Sequence, residues 1–573
     1  GLTCDALVTS LVGNVSTLFL ALAIDHPDPT QLVVTLEGPD GTRVTILDHQ
    51  GRTGEAVREV FGLTAAPAEP LSAFAGRPVE GTWRLTVVDA VAGAAGRVVS
   101  WALSAEPTIP TPEPDFPGAT SFVATSAHSA GKFGSFYTTD LRLFNADPAA
   151  AHDVLLRFSP SGGGVPRTLA VALPPLATRA LDDVVHDAFR MEGYGPLFLN
   201  AAPAVVAAAR TATTAPRGGS FGLAIPADAA ASAAGAGTAV VLVPAFRATG
   251  FRVNVGVTEI TGKPVSVEIL LRDSSGALRS LIPRAVPAGG LVQLNDVYGM
   301  TGLEPAAADR FEVRVTGGAG RIAAWATSVD DSTNDGSWVA AHAPATSLLI
   351  PAVARAYGSD GSFFATDLKV SNAGALPVRV RIVLSSLSGP AYPPAMVTLA
   401  GFETRAYDDV LGTLFSPRGD MAGALRITAL DGGAVYASTR TSTSNGGRSY
   451  GFAIDPVATT AEASPGRQLA LTYLSSSSAR RTSVGFVETS GAATRLRATL
   501  FAPDGTGVAT LDFSLTASQA VQWDDVFAQM QAEPLAEASL LVDVLSGGSA
   551  AAYAIVLDNR TNDASYFPAS LVP

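Results

Sequence analysis

Apolar and polar residues alternate along most of this chain in short runs, the period of a strand with one face buried. Beyond residue 150 the alternation predicts strands over residues 153–158, 167–173, 196–199, 205–210 and 221–225. Turn-forming Gly, Pro, Asn and Asp separate them at the spacing of a β-sandwich. One piece has a helical pattern, residues 182–190, where Asp182 and Asp183 precede Val184 and Val185. An aspartate there can accept from the unpaired first N–H groups and suits the helix dipole.

The pattern repeats. Leu181-Asp182-Asp183-Val184 recurs as Leu294-Asn295-Asp296-Val297, Tyr407-Asp408-Asp409-Val410 and Trp523-Asp524-Asp525-Val526, with the second acidic residues 113, 113 and 116 positions apart. About forty residues after each comes Ser220-Phe221, Ser337-Trp338, Ser449-Tyr450 or Ser565-Tyr566. Two anchors in constant register define four copies of one unit. The copies alternate: Thr139-Asp140-Leu141-Arg142-Leu143-Phe144-Asn145 matches Thr366-Asp367-Leu368-Lys369-Val370-Ser371-Asn372, whereas Val255-Gly256-Val257-Thr258-Glu259 matches Val484-Gly485-Phe486-Val487-Glu488. An ancestral pair was duplicated as a pair. The predicted units are residues 119–228, 237–345, 346–460 and 467–573, each a seven- or eight-stranded β-sandwich with one short helix. Ala/Gly-rich joints at residues 229–237 and around Ser464-Pro465-Gly466 separate successive units.

Residues 1–105 have a different pattern. Leu32 to Leu36 and Val44 to Leu47 flank Gly38-Pro39-Asp40-Gly41-Thr42, which reads as a hairpin. Gly81-Thr82-Trp83-Arg84-Leu85-Thr86-Val87-Val88-Asp89 and Gly96-Arg97-Val98-Val99-Ser100-Trp101-Ala102-Leu103 follow. With Phe74 ahead of them, these motifs resemble, in order, those of the P domain (P/Homo B) of subtilisin-like proprotein convertases. The resemblance implies a jelly-roll β-sandwich that accompanies a catalytic domain without being one. The family's usual Asp before the first hairpin strand is Gln31 here, which puts a calcium site built on it in doubt. Asp25, Asp28 and Asp89 offer other oxygens, with turn capping the simpler role. The fold class is thus all-β, an N-terminal jelly roll followed by four repeats. Between them, residues 106–118 carry Pro107, Pro110, Pro112, Pro114 and Pro117, which predict a polyproline spacer.

Composition narrows the partners. Charged residues are 16% of the 573 and the net charge is −13, which argues against a nucleic-acid or anionic-membrane surface. Lys132, Lys263 and Lys369 are the three lysines. No apolar run reaches the roughly 18 residues of a transmembrane helix. The closest, residues 7–24, is interrupted by Thr9, Ser10 and Asn14. The chain starts at Gly1 without a signal-like segment, as expected of a secreted chain whose signal peptide is gone. Cys4, the single cysteine, is either an intermolecular bridge or a small apolar strand residue.

Chemical motifs are few. Gly218-Gly219-Ser220-Phe221-Gly222 and Gly447-Arg448-Ser449-Tyr450-Gly451 match the G-x-S-x-G elbow, yet both lead into strands ending at Pro226 and Pro456 rather than into a helix. His26, His49, His128, His152, His186 and His342 are scattered without zinc-site spacing, and His186 reads as exposed or capping. Asp331, Thr333 and Asp335 have alternate oxygen spacing before Gly336, repeated in residues 558–564; Ca2+ and Asx-turn readings both apply. Phe221, Trp338, Tyr450 and Tyr566 are sugar-stacking platforms or core residues of the last strand. No catalytic, cofactor-binding or metal residue is assigned.

The expected function is non-catalytic and extracellular: a bacterial surface filament, coat or stalk subunit, a homo-oligomer joined through strand edges. Residues 6–24 or 566–572 are apolar enough to be donated strands. The alternative is an adhesin or accessory chain with a glycan, protein or cell-surface partner. A third reading, the non-catalytic portion of a secreted protease, rests on the P-domain resemblance alone.

Overall fold

The computed structural model describes residues 2–9, 14–50, 56–108, 115–216, 218–244, 250–358, 361–388, 391–445, 448–458 and 461–573. They are mostly β, in several antiparallel sheets. The chain divides into two compact units, residues 1–113 and 114–573.

The first unit is a two-sheet sandwich. One sheet runs in the order Leu2–Thr9, Gly81–Asp89, Leu32–Glu37 and Arg43–Asp48; the other is Val57–Phe61, Asn14–Asp25 and Arg97–Thr108. Period-2 alternation sends Leu18, Leu20, Leu22 and Ile24 inward against Val34, Leu36, Leu85 and Trp83. Trp83 is sealed by Phe74 at 5.0 Å, edge to face, and its indole N–H donates to the Val79 carbonyl at 3.0 Å. The predicted hairpin forms, with Gly41 at φ +84° in its turn. Residues 6–9 and 14–24 belong to this unit's own sheets. The strand Arg97–Thr108 takes in the first residues of the predicted spacer, while prolines 110, 112 and 114 lie outside the described residues.

The second unit holds the four repeats. The second repeat has two four-stranded sheets, Ala239–Leu242, Arg310–Gly318, Val265–Arg272 and Leu278–Val286 in one, and Leu291–Leu294, Phe251–Glu259, Ile322–Asp330 and Gly336–Ala340 in the other. The fourth has the same plan with one more edge strand, Ser570–Val572 on Gln468–Leu474. That strand also places residues 570–572 within their own repeat. In the first and third repeats the opening strand, Ser121–Ala130 or Ser347–Tyr357, continues far enough to pair with the next strand, Phe136–Asn145 or Phe363–Asn372, so both sheets join. This is the structural form of the alternation in the sequence.

The repeat signatures have packing reasons. Val184, Val297, Val410 and Val526, after the anchor aspartates, are all fully buried. Thr139 and Thr366 accept from the N–H of Ala127 and Ala354 at 2.7 and 2.8 Å, and Asp140 and Asp367 accept from the N–H of Asp183 and Asp409 at 3.1 Å. Glu259 and Glu488 each gather several loop N–H groups. Gly256 and Gly485 leave room for a neighbouring ring to lie flat: an added Cβ would come within 2.1 Å of Trp325 or Tyr553. The short helices are Val297–Thr301, Val410–Phe415 and Val526–Gln529; the first repeat has a π-turn, Val184–Ala188, in place of the helix predicted over residues 182–190.

Candidate functional site

Four strands in equivalent places near the ends of the repeats, Ser220–Ala229, Gly336–Ala340, Arg448–Ile454 and Ala564–Pro568, meet around one centre. The first and third each lie against both the second and fourth. Two loops lock this centre in a pseudo-twofold manner. Asp330 and Asp335 of the second repeat accept from the N–H groups of Ser449 (3.1 Å) and Gly451 (2.7 Å) of the third. Asp558 and Asp563 of the fourth accept from Ser220 and Gly222 of the first, both at 2.9 Å. Arg210 pairs with Asp563 at 3.1 Å and Arg440 reaches Asp335 at 3.7 Å, all four side chains buried.

These contacts account for two sequence motifs. The G-x-S-x-G serines begin strands, and Ser220 donates to Asp558 at 3.1 Å while Ser449 accepts from Arg440 at 2.9 Å. Gly222 is small because the neighbouring strand's Thr211 carbonyl would stand 2.7 Å from a Cβ. In the candidate calcium loop, Asp331 pairs with Arg252 at 2.8 Å, Thr333 donates to Asp330, and Asp335 turns to Gly451. One oxygen of each is thus committed to a different protein partner, Asp335 Oδ1 is buried without a hydrogen-bond partner among the described residues, and Asp330 closes an Asx turn on Ser332 and Thr333. Burial and the facing Asp563 carboxylate push Asp335 well up, and burial lifts Asp563 to about 6 against the pull of Arg210.

The recurring aromatics gather here too. Trp338 and Tyr566 are buried, stacked on Trp325 at 4.7 Å and tilted on Tyr553 at 5.8 Å, while Phe221 and Tyr450 face each other at 5.6 Å. They are core and interface residues, not an exposed row.

Beside the centre, between the first and second repeats, lies a cleft of about 320 Å³. Its floor is apolar, from Trp325, Trp338, Phe221 and Ile225; Asn254, Gln293, Asn295, Arg252, Tyr137 and Lys132 supply polar walls. Arg252 is held by Asp331 and Asn334, each at 2.8 Å, and Asn254 by Thr327 at 3.0 Å, so the walls are preorganised. Burial raises the Tyr137 phenol above its usual range. The buried indole N–H of Trp338 has no hydrogen-bond partner among the described residues. The periodicity of the sequence could not reveal this cleft, because it belongs to the contact between repeats.

Other candidates fall elsewhere. In the first unit Asp25 pairs with Arg58 and Arg97, Asp28 accepts from Thr30 and Gln31, and Asp89 lies 3.6 Å from His26. His49 contacts the Thr30 carbonyl, and His152 pairs with Asp147 at 3.1 Å. His342 is driven down by burial but raised overall by Asp455 and Asp228. Cys4 sits opposite Thr86 in the sheet. His128 and His186, 58 positions apart in sequence, stack at 4.6 Å, with Glu192 beside them. His186 is exposed, one of the two readings of it, and caps no helix.

No helix among the described residues is long and apolar enough to cross a membrane. No curated protein matches the chain. Among solved structures it is similar to Bacteroides uniformis β-glucuronidase 2, covalently bound to cyclophellitol-6-carboxylate aziridine, at 9% identity over 43% of this chain and 26% of that one. The TM-score of 0.08 gives that likeness no weight. The sandwich of the first unit is another matter: residues 15–105 match the proprotein convertase P-domain family.

Proposed function

We propose that the chain is a non-catalytic extracellular binding protein whose four-repeat unit takes a glycan in the cleft between its first two repeats. The carrying observation is the cleft itself, an apolar floor over the buried Trp325–Trp338 pair below amide-bearing walls. An apolar floor with convergent amides and hydroxyls matches the two-sided chemistry of a sugar. An extracellular setting is supported by the P domain, whose families are typically secreted. A glycan array followed by calorimetry tests this reading. Asn254→Ala and Gln293→Ala should each weaken a hit by about tenfold, the loss of roughly one hydrogen bond. No hit, or a hit indifferent to both changes, contradicts it.

A second reading, self-assembly into a surface structure, is supported by the outer edge strand Leu278–Val286, which exposes Leu278 and Leu281 with one edge unpaired. Negative-stain images of the purified chain should then show regular filaments or sheets that Leu281→Lys abolishes. Uniform single particles would reject it.

A further inference from the structure

The first repeat departs from its sister repeats in one place. In the second and third, the anchor aspartates Asp296 and Asp409 accept from the N–H three residues on, Gly299 at 3.1 Å and Gly412 at 3.0 Å. At Gly299 and Gly412 a Cβ would come within 2.4 Å of the capping carboxylate, and in the fourth repeat Asp525 caps in an extended conformation that admits Ala528. In the first repeat that position is His186. Asp183 makes no cap, the turn widens to a π-turn, and its carboxylate bonds Nδ1 of His128 at 2.7 Å instead. His128 occupies the strand position of Arg355 in the third repeat, where Arg355 bonds Asp409 at 2.8 Å. Structural pairing of the anchor is therefore within reach of an arginine. The histidines add something an arginine cannot, a lone pair on each ring.

We propose that His128, His186 and Glu192 bind a divalent transition-metal ion, Zn2+ being the best fit. Their candidate ligand atoms all lie within 4.8 Å of one another. Nδ1 of His128 is held by Asp183 at 2.7 Å and Nδ1 of His186 by Asp187 at 2.8 Å. A carboxylate on Nδ1 fixes the tautomer that turns Nε2 outward as a ligand and makes it more basic. Nε2 of His128 is already 3.4 Å from the Glu192 carboxylate. Two imidazoles and one carboxylate suit zinc and its neighbours, whereas calcium and magnesium prefer all-oxygen shells. Bonds of about 2.0–2.1 Å require the ligand atoms to close by roughly an ångström, with the stacked rings turning apart. The exposed side chains can supply that movement, His186 at 46% and Glu192 at 74% exposure, around the less exposed His128 at 16%. Three protein ligands leave a fourth position for water or a bound group.

The test uses the full chain, stripped with a chelator and titrated with Zn2+ by calorimetry and with Co2+ by visible absorption. One ion per chain is expected, with a tetrahedral cobalt spectrum. His186→Ala and Glu192→Gln, both at exposed positions, should each weaken zinc by about 100-fold or more, and Asp183→Asn by about 10–100-fold. His128→Arg rebuilds the third repeat's ion pair, so thermal unfolding without metal should change little while zinc binding is lost. The converse, Arg355→His, should gain none, because Gly412 stands where His186 would be and a single imidazole with Asp420, the register counterpart of Glu192, is one ligand short. Absence of stoichiometric binding, or binding equally tight in His186→Ala and Glu192→Gln, overturns the proposal.

Discussion

The first and third repeats share a frame and differ at one turn. Both join their sheets through a long opening strand, both tie the anchor N–H to an aspartate, and both send an arginine, Arg210 or Arg440, into the centre. At the turn itself the third has Arg355, Asp409 and Gly412, a capped α-helix. The first has His128, Asp183 and His186, an uncapped π-turn. Where duplicated units keep the residues that build the frame and change those at one exposed turn, the change marks a place released from structural duty. It is there that the metal-ligating residue types collect.

The largest expected effect tests the shared half of that comparison. Removing one partner of a buried ion pair strands the other charge, so Arg210→Ala should cost about 3–5 kcal/mol of unfolding free energy. Arg440→Ala should cost less, because Asp335 lies 3.7 Å from it and is held toward its protonated form by burial and Asp563. Chemical denaturation of each variant measures this. A larger loss for Arg440→Ala than for Arg210→Ala would contradict this.

A smaller effect comes from pH. The folded-state value of Asp563, about 6, and that of Asp335, also raised, lie above the ordinary carboxylate range. Stability from such groups is fully present below the unfolded value and lost as pH rises through the folded one. Wild type should therefore lose about 3 kcal/mol relative to Asp563→Asn as pH rises from about 4 through about 6. A pH-independent difference between the two proteins would contradict a shared proton at the centre. The exchange of His128 and Arg355 has the smallest effect on stability, and it sharpens the contrast because only zinc affinity should respond.

Much of the frame was legible in the chain. Alternation in residues 153–158 and 167–173 marks strands because each buries one face against a single core. The anchors repeat because Val184 and its counterparts fill the same buried site. Strand Phe136–Asn145 was harder to see, since both its faces are covered toward its end and Leu141 to Asn145 do not alternate. The G-x-S-x-G and Asp-rich segments were conspicuous but ambiguous, because their purpose lies in partners more than a hundred residues away. His128 and His186 gave no signal, being on different elements brought together by the fold. One trace was visible: His186 occupies a position that is glycine or alanine in the other three repeats, Gly299, Gly412 and Ala528.

The most direct measurement is anomalous diffraction at the zinc absorption edge from crystals of the full chain grown with zinc. A peak bounded by His128, His186 and Glu192 is expected, and none at Arg355 and Asp409. Zinc absent from the first repeat's turn, or present equally at both turns, would contradict it.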